Sequence, residues 1–193
     1  MTRIGIIVGS TRPGRRAAGV ADWVAKKGAE LLPDTEFGIV DLADFALPLL
    51  DEPHPPMFGR YTKEHTRAWA AAVDGYDGYV FVVPEYNHSI PAVLKNALDY
   101  LYNEWGDKAA GFVGYGVSGG TRAVEQLRLI LAELRVATVR SQVALSLWQD
   151  FTIPDVTQPG EFTPAAHQEQ SVTALLNEVV AWSQALAPLR VTA

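Results

Sequence analysis

Cysteine is absent from this chain. Its absence excludes disulfides, a thiol nucleophile and thiolate metal sites. The histidines are few and scattered, and His54, His65, His88 and His167 show no metal-ligand spacing. No apolar stretch approaches membrane-spanning length, which argues against a membrane partner. Basic residues are outnumbered, 16 Lys and Arg against 22 Asp and Glu, so the net charge of −6 lends no general electrostatic support to a nucleic-acid role. The apolar run after Arg3 is too short for a signal peptide and leads into Arg-rich polar sequence. A cytoplasmic protein is therefore expected. Internal repeats, low-complexity tracts and a linker able to separate domains are also missing. What is present is 193 residues, 48% of them hydrophobic, enough for one sizeable core and one domain over 1–193.

Strand and helix patterns alternate along the chain. Ile4–Val8 is a continuous apolar run, as a strand covered on both faces requires. A helix is expected from about Arg16 to Leu32, stopped by Pro33-Asp34, and then a strand at Phe37–Asp41. Ala46–Arg60, with Pro48, Pro53, Pro55 and Pro56, reads as an irregular surface loop. Thr62 is the expected N-cap of a helix reaching Asp74, and Tyr79–Val83 the central strand. A helix opens near Pro91, with Val93, Leu94, Ala97, Leu98 and Leu101 on one face. Strands at Ala109–Tyr115 and Val139–Leu145 flank a helix from Thr121 to Leu134, and Thr163-Pro164 opens a last helix ending near Leu186. Five strands alternating with five helices imply an α/β fold, a parallel sheet between two helical layers.

The loop Gly9-Ser10-Thr11-Arg12-Pro13-Gly14-Arg15-Arg16 joins the first strand to the first helix. Free N–H groups at the helix start, the hydroxyls of Ser10 and Thr11, and the charges of Arg12, Arg15 and Arg16 converge on a site for an anion, phosphate first of all. Gly9 and Gly14 have Walker A spacing, but Arg15-Arg16 stand where that loop needs Lys and a magnesium-binding hydroxyl. A nucleoside-triphosphate hydrolase is thus disfavoured, and turnover of a triphosphate is its cheap test. The dinucleotide fingerprint fails at its second glycine.

In such sheets ligands sit at the carboxyl ends of strands, where strand order reverses. The loops after strands three and four are distinctive too. Pro84-Glu85-Tyr86-Asn87-His88-Ser89-Ile90-Pro91 offers a proline, an aromatic ring and hydrogen-bonding groups. Gly114-Tyr115-Gly116-Val117-Ser118-Gly119-Gly120-Thr121 allows backbone to come close to a flat ligand. One phosphate loop and two loops suited to an aromatic ring system describe a mononucleotide cofactor site.

These residues carry a resemblance. Gly9-Ser10-Thr11-Arg12, Pro84-Glu85-Tyr86-Asn87 with Pro91 and Leu94–Asp99, and Tyr115-Gly116 with Ser118-Gly119-Gly120 resemble the NAD(P)H-dependent FMN reductases, a family that includes quinone, azo-dye and chromate reductases. The likeness spans roughly residues 3–147 and weakens from Trp148. It implies a flavodoxin-like three-layer α/β/α fold with a five-stranded parallel sheet of order 2-1-3-4-5, non-covalent FMN, NADPH or NADH as co-substrate, and a homodimer or homotetramer with flavin near a subunit interface. It also implies roles by position. Ser10, Thr11, Arg12 and Arg15 would bind the FMN phosphate, while Arg15 or Arg16 could equally face solvent or the 2′-phosphate of NADPH. Pro84, Glu85, Tyr86 and Asn87 would line the isoalloxazine, and Ser118, Gly119 and Gly120 would cover its pyrimidine end. Hydride would pass from nicotinamide to flavin N5 and then to a small-molecule acceptor (free FMN, a quinone, an azo compound or similar) in ping-pong order. NADPH is favoured because arginines are at hand. No side chain is assigned a catalytic role, since the flavin carries the chemistry.

A flavodoxin-type electron carrier would use the same fold without consuming nicotinamide, and the three arginines of the first loop argue against it. His88 is read as a surface or structural residue before a proton donor. Tyr100, Tyr102 and Trp105 are read as packing. The polar face of Lys95, Asn96 and Asp99 is open to solvent or to a partner subunit, and the resemblance favours the partner.

Overall fold

The computed structural model describes residues 1–190 and builds the sheet on the apolar runs. β1 (Thr2–Val8), β3 (Gly78–Pro84) and β4 (Ala109–Gly116) occupy the middle, with Ile4–Val8 and all of β3 and β4 buried. β2 (Thr35–Asp41) and β5 (Ala137–Ser146) form the edges. All pairings are parallel and the order is β2-β1-β3-β4-β5, as the resemblance implies. Because the order reverses between β1 and β3, the loops at their carboxyl ends diverge and leave a crevice.

Helices α1 (Ala17–Leu31) and α5 (Ala166–Arg190) cover one face; α2 (Glu64–Asp74), α3 (Ala92–Asp99) and α4 (Thr121–Glu133) cover the other. The period of two along β3 divides its side chains between them. Val80 and Val82 face α1 and α5, whereas Tyr79, Phe81 and Val83 face the other core. That second core is aromatic: Trp105 lies edge-on to Trp69 at 5.9 Å and to Tyr79 at 5.1 Å. The packing role expected of Tyr100 and Trp105 agrees with their complete burial. Leu94, Ala97, Leu98 and Leu101 are buried as the helical spacing requires, and Val93 is half-buried.

β2 begins two residues before the expected Phe37 and β5 extends beyond Val139–Leu145 at both ends, and three further boundaries differ for reasons the packing shows. Helix α2 starts at Glu64 and its N-cap position is Lys63, not Thr62. The capping carboxylate comes from Glu52, far back in the loop, which accepts from the backbone N–H groups of Thr62 and Lys63 at 2.9 Å each. Residues after β5 form a short hairpin, β6 (Phe151–Thr152) with β7 (Glu161–Phe162), so α5 begins at Ala166. Asp150 is the reason: its buried carboxylate accepts from Ser146 N at 2.7 Å and Ala165 N at 2.9 Å, holding both ends of the hairpin together. The last helix also runs past Pro188 to Arg190. Arg190 ties that final turn down by donating to Asp77 Oδ1 at 2.8 Å and to the Asp107 carbonyl at 3.1 Å.

Candidate functional site

The first loop leaves β1 with Gly9 N–H bonded to the Val82 carbonyl at 3.0 Å, which sets it beside the end of β3. Ser10 is buried, with its Oγ 2.9 Å from the Tyr86 hydroxyl, and it accepts from Arg12 N–H at 3.3 Å. A turn from Arg12 to Arg15 follows, and α1 opens at Ala17 with Arg16 in the N-cap position and no side chain capping it. The Ala17 N–H meets the Tyr115 hydroxyl, and the N–H groups of Ala18 and Gly19 that follow remain available to a ligand.

The three arginines are held differently. Arg12 is exposed and its guanidinium meets no partner among the described residues. Arg15 is ion-paired with Asp41, at the carboxyl end of β2. Arg16 donates to the Gln158 carbonyl at 3.3 Å. Arg15 Nε and Arg16 Nε are both buried without a hydrogen-bond partner, an unusual state for guanidinium nitrogen.

At the end of β3, Glu85 N–H bonds the Tyr115 carbonyl at 3.1 Å and joins the second loop to β4. Tyr86 and Ser89 exchange backbone bonds at 3.0 and 3.1 Å around Asn87 (φ 50°) and His88 (φ 70°). Two consecutive left-handed residues other than glycine are held there against their preference. Gln126 of α4 supplies the hold, donating to the His88 carbonyl at 2.8 Å and bonding Ser89 Oγ. His88 itself is exposed.

The third loop turns tightly, with Gly119 at φ 67° and Gly120 at φ 69°. A Cβ at Gly120 would lie 2.5 Å from Tyr115 N, and one at Gly119 would touch Ala144 Cβ at 3.0 Å. The loop's own path thus requires these glycines, independently of any approach by a ligand. Glu85 links the second and third loops. Its almost wholly buried carboxylate pairs with Arg122 and accepts from Arg122 N–H at 3.1 Å and Ala123 N–H at 3.4 Å, capping α4. Burial pushes the Glu85 carboxyl up, but Arg122 and these N–H donors outweigh it and hold it below its ordinary value. Arg122 in turn donates to Ser118 Oγ at 3.2 Å.

Between the loops lies a cleft of about 150 Å³, lined by Arg12, Gly14, Arg15, Arg16, Pro84, Glu85, Tyr86, Tyr115, Gly116 and Leu147. Five of these, Arg12, Arg15, Pro84, Glu85 and Tyr86, belong to the expected set, and Arg16, left open between solvent and a phosphate, joins them. Ser10 stands behind Tyr86; Thr11 and Asn87 are exposed, while Ser118, Gly119 and Gly120 lie on the adjoining turn and do not line the cleft. Gly14, Tyr115, Gly116 and Leu147 have no role assigned from sequence; the first three sit inside the distinctive loops, while nothing in the sequence marks Leu147. Tyr115 is buried, and burial, then its neighbour Tyr86, push its hydroxyl upward against the opposing pull of Arg16 and the Ala17 N–H. A larger hollow of about 500 Å³, lined by Glu125, Arg140–Gln142, Ser171 and Ala174, receives no residue from these loops. No cluster of three or more His, Asp or Glu able to hold a metal occurs among the described residues. Guanidinium groups with unpartnered Nε, the N–H groups of Ala18 and Gly19 at the helix start and hydroxyl donors fit a phosphate, and the ring-lined walls beyond them fit a flat heterocycle, so the residues present suit FMN.

The model of the NADPH-dependent FMN reductase family matches residues 2–150. An NAD(P)H-dependent FMN reductase of Schizosaccharomyces pombe is 41% identical over 166 residues, which is 83% of this chain and 82% of that protein. Among solved structures, the flavoenzyme NAD(P)H:(acceptor) oxidoreductase of Paracoccus denitrificans superposes with a TM-score of 0.63 at 21% identity, over 97% of this chain and 98% of that one. An oxidised flavodoxin from Bacillus cereus does so with a TM-score of 0.55 at 16% identity, over 94% and 98%. At such identities both structures speak to the fold alone, which is flavodoxin-like.

Proposed function

Because this chain belongs to the NADPH-dependent FMN reductase family, and is thus an oxidoreductase of FMN and NAD(P)H, we propose that its cleft holds FMN for the reduction of small acceptors such as free FMN or quinones. The supporting observation is the meeting of three strand-end loops at two buried, unpartnered guanidinium nitrogens. FMN, when bound, supplies the two-electron exchange between nicotinamide and acceptor. The chain's own residues bind and orient. Ser10, Thr11 and Arg12 take the phosphate together with the N–H groups of Ala18 and Gly19 in the first turn of α1. Arg15 contributes from the cleft wall, with Asp41 fixing its direction. Pro84, Glu85, Tyr86 and Asn87 carry the ring system, and Glu85 acts through its backbone because its carboxylate is spent on Arg122 and α4. Ser118, Gly119 and Gly120 close the far end. Positioning of this kind supplies most of the rate that a protein adds to a flavin's chemistry.

The order is ping-pong, with nicotinamide leaving before the acceptor enters, and NADPH is preferred because the first loop brings three arginines to the cleft side of the sheet, more than one phosphate requires. One FMN-binding domain over 1–193 assembles as a homodimer or homotetramer. An absorbance titration tests the reading. FMN retained after desalting, bleached by anaerobic NADPH and restored by air, is the expected result. Retained flavin that neither NADPH nor NADH bleaches would indicate an electron carrier, and no retention would remove the cofactor assignment.

A further inference from the structure

The cofactor loop has an anchor outside the region matched to the family. The hairpin loop between β6 and β7 crosses to the first loop and packs against it with no room to spare. Gly14 is left-handed, and a Cβ there would lie 2.1 Å from the Thr157 carbonyl oxygen. Arg16 donates to the Gln158 carbonyl at 3.3 Å while its Nε stays buried without a partner. The tip has its own internal brace: Asp155 Oδ1 accepts from Thr157 N at 2.8 Å and from Thr157 Oγ1 at 2.7 Å. At the hairpin base, Phe151 packs on Phe162 at 5.0 Å and on Tyr115 at 6.1 Å, and Tyr115 lines the cleft. The hairpin thus meets the cleft twice, through its tip at the arginine loop and through its base at Tyr115.

We propose that this hairpin is a positioning strap for the cofactor phosphate, its Thr157 and Gln158 carbonyls holding the arginine loop so that Arg16 points into the cleft. The proposal rests on the FMN reading above. A carbonyl that accepts from one end of a guanidinium fixes its plane and leaves the remaining N–H donors aimed elsewhere. The tip of the strap therefore acts on the phosphate, while the base at Phe151 backs Tyr115, so FMN and riboflavin should respond differently when the tip alone is loosened.

The test measures the dissociation rates of FMN and of riboflavin from the full chain by flavin fluorescence. It uses Asp155→Ala/Thr157→Ala, both on the exposed tip, and a second variant in which residues 155–158 are replaced by two glycines. The expected result is FMN release about tenfold faster or more, the scale of one lost charged hydrogen bond, with riboflavin release unchanged. Arg16→Met should speed FMN release similarly and add nothing in the loosened-strap background, because the two changes remove one interaction. If the shortened chain fails to fold, the double alanine variant decides alone. Unchanged FMN release, or equal acceleration of FMN and riboflavin, overturns the strap. A wild-type chain that holds neither flavin overturns the FMN reading itself, and the strap with it.

Discussion

Among single residues, the arginines of the first loop show how far composition carries. Three cations in one loop of an acidic chain point to an anion, but the neighbours decide what each can do. Asp41 takes Arg15 and Gln158 takes Arg16, while Arg12 is left exposed and unpartnered among the described residues. Arg12→Ala should weaken FMN binding by about 1–3 kcal/mol, the range for losing a charged hydrogen-bond partner; a fluorescence titration measures it, and an unchanged affinity removes Arg12 from the site. Glu85 carries a second expectation. Its folded-state pKa is lowered, so its contribution is complete above the ordinary carboxylate range and is lost as pH falls through the folded value. Glu85→Gln should cost about 2 kcal/mol near neutrality. In urea unfolding from about pH 3 to 8, the gap between wild type and variant should close on the acid side. The motif draws attention to Glu85, yet its pairing with Arg122 is not legible in it, because the pair depends on β3 and α4 meeting in space.

For whole elements, strand and helix identities follow from periodicity, and their ends follow less well. Thr62 looks like a cap by residue type, but a carboxylate ten residues earlier does the capping. The Glu52 carboxyl is lowered to about 2: burial raises it, and the N–H and hydroxyl donors at Thr62 and Lys63 win. Glu52→Ala should cost about 1 kcal/mol, as for other lost caps. That loss should be full above about pH 4.5 and should vanish as pH falls toward 2, the window between the unfolded and folded values. Thermal melts across that range check it, and a pH-independent difference would deny Glu52 its role. The hairpin β6–β7 is unreadable from sequence because two-residue strands carry no period. Sequence alone also leaves the polar face of α3 open between solvent and partner. The structure gives Lys95 to Asp99 at 2.7 Å and turns Asn96 to the chain's own loop, where it accepts from Leu50 N–H at 2.9 Å and donates to the Pro48 carbonyl at 2.7 Å.

Taken as a molecule, the chain should respond to cofactor as a unit. Saturation to about a hundred times Kd stabilises the folded state by about 2.7 kcal/mol. For a domain of this size that corresponds to a Tm rise of roughly 5–11 °C, which scanning fluorimetry with and without FMN would read. No shift with FMN would contradict a folded-state flavin site. The loop anchored by Asn96 leaves Leu49 84% and Met57 57% exposed, an apolar margin suited to the proposed subunit contact. Light scattering should give a multiple of the single-chain mass, and Leu49→Asp/Met57→Asp should lower it toward the monomer. A monomeric wild type would remove the oligomer proposal. Among the described residues no helix is long and apolar enough to cross a membrane.

By itself the sequence determined the α/β class, the position of the three loops and the kind of ligand they suit. Those properties depend on local pattern: apolar runs, helix signals, and glycines, hydroxyls and guanidinium groups close together along the chain. Tertiary structure alone decided which donors remain free. Asp41, Arg122, Gln126, Leu147 and Gln158 act on the cleft from distant segments, and no local pattern reports a partner that folding brings from another strand or helix.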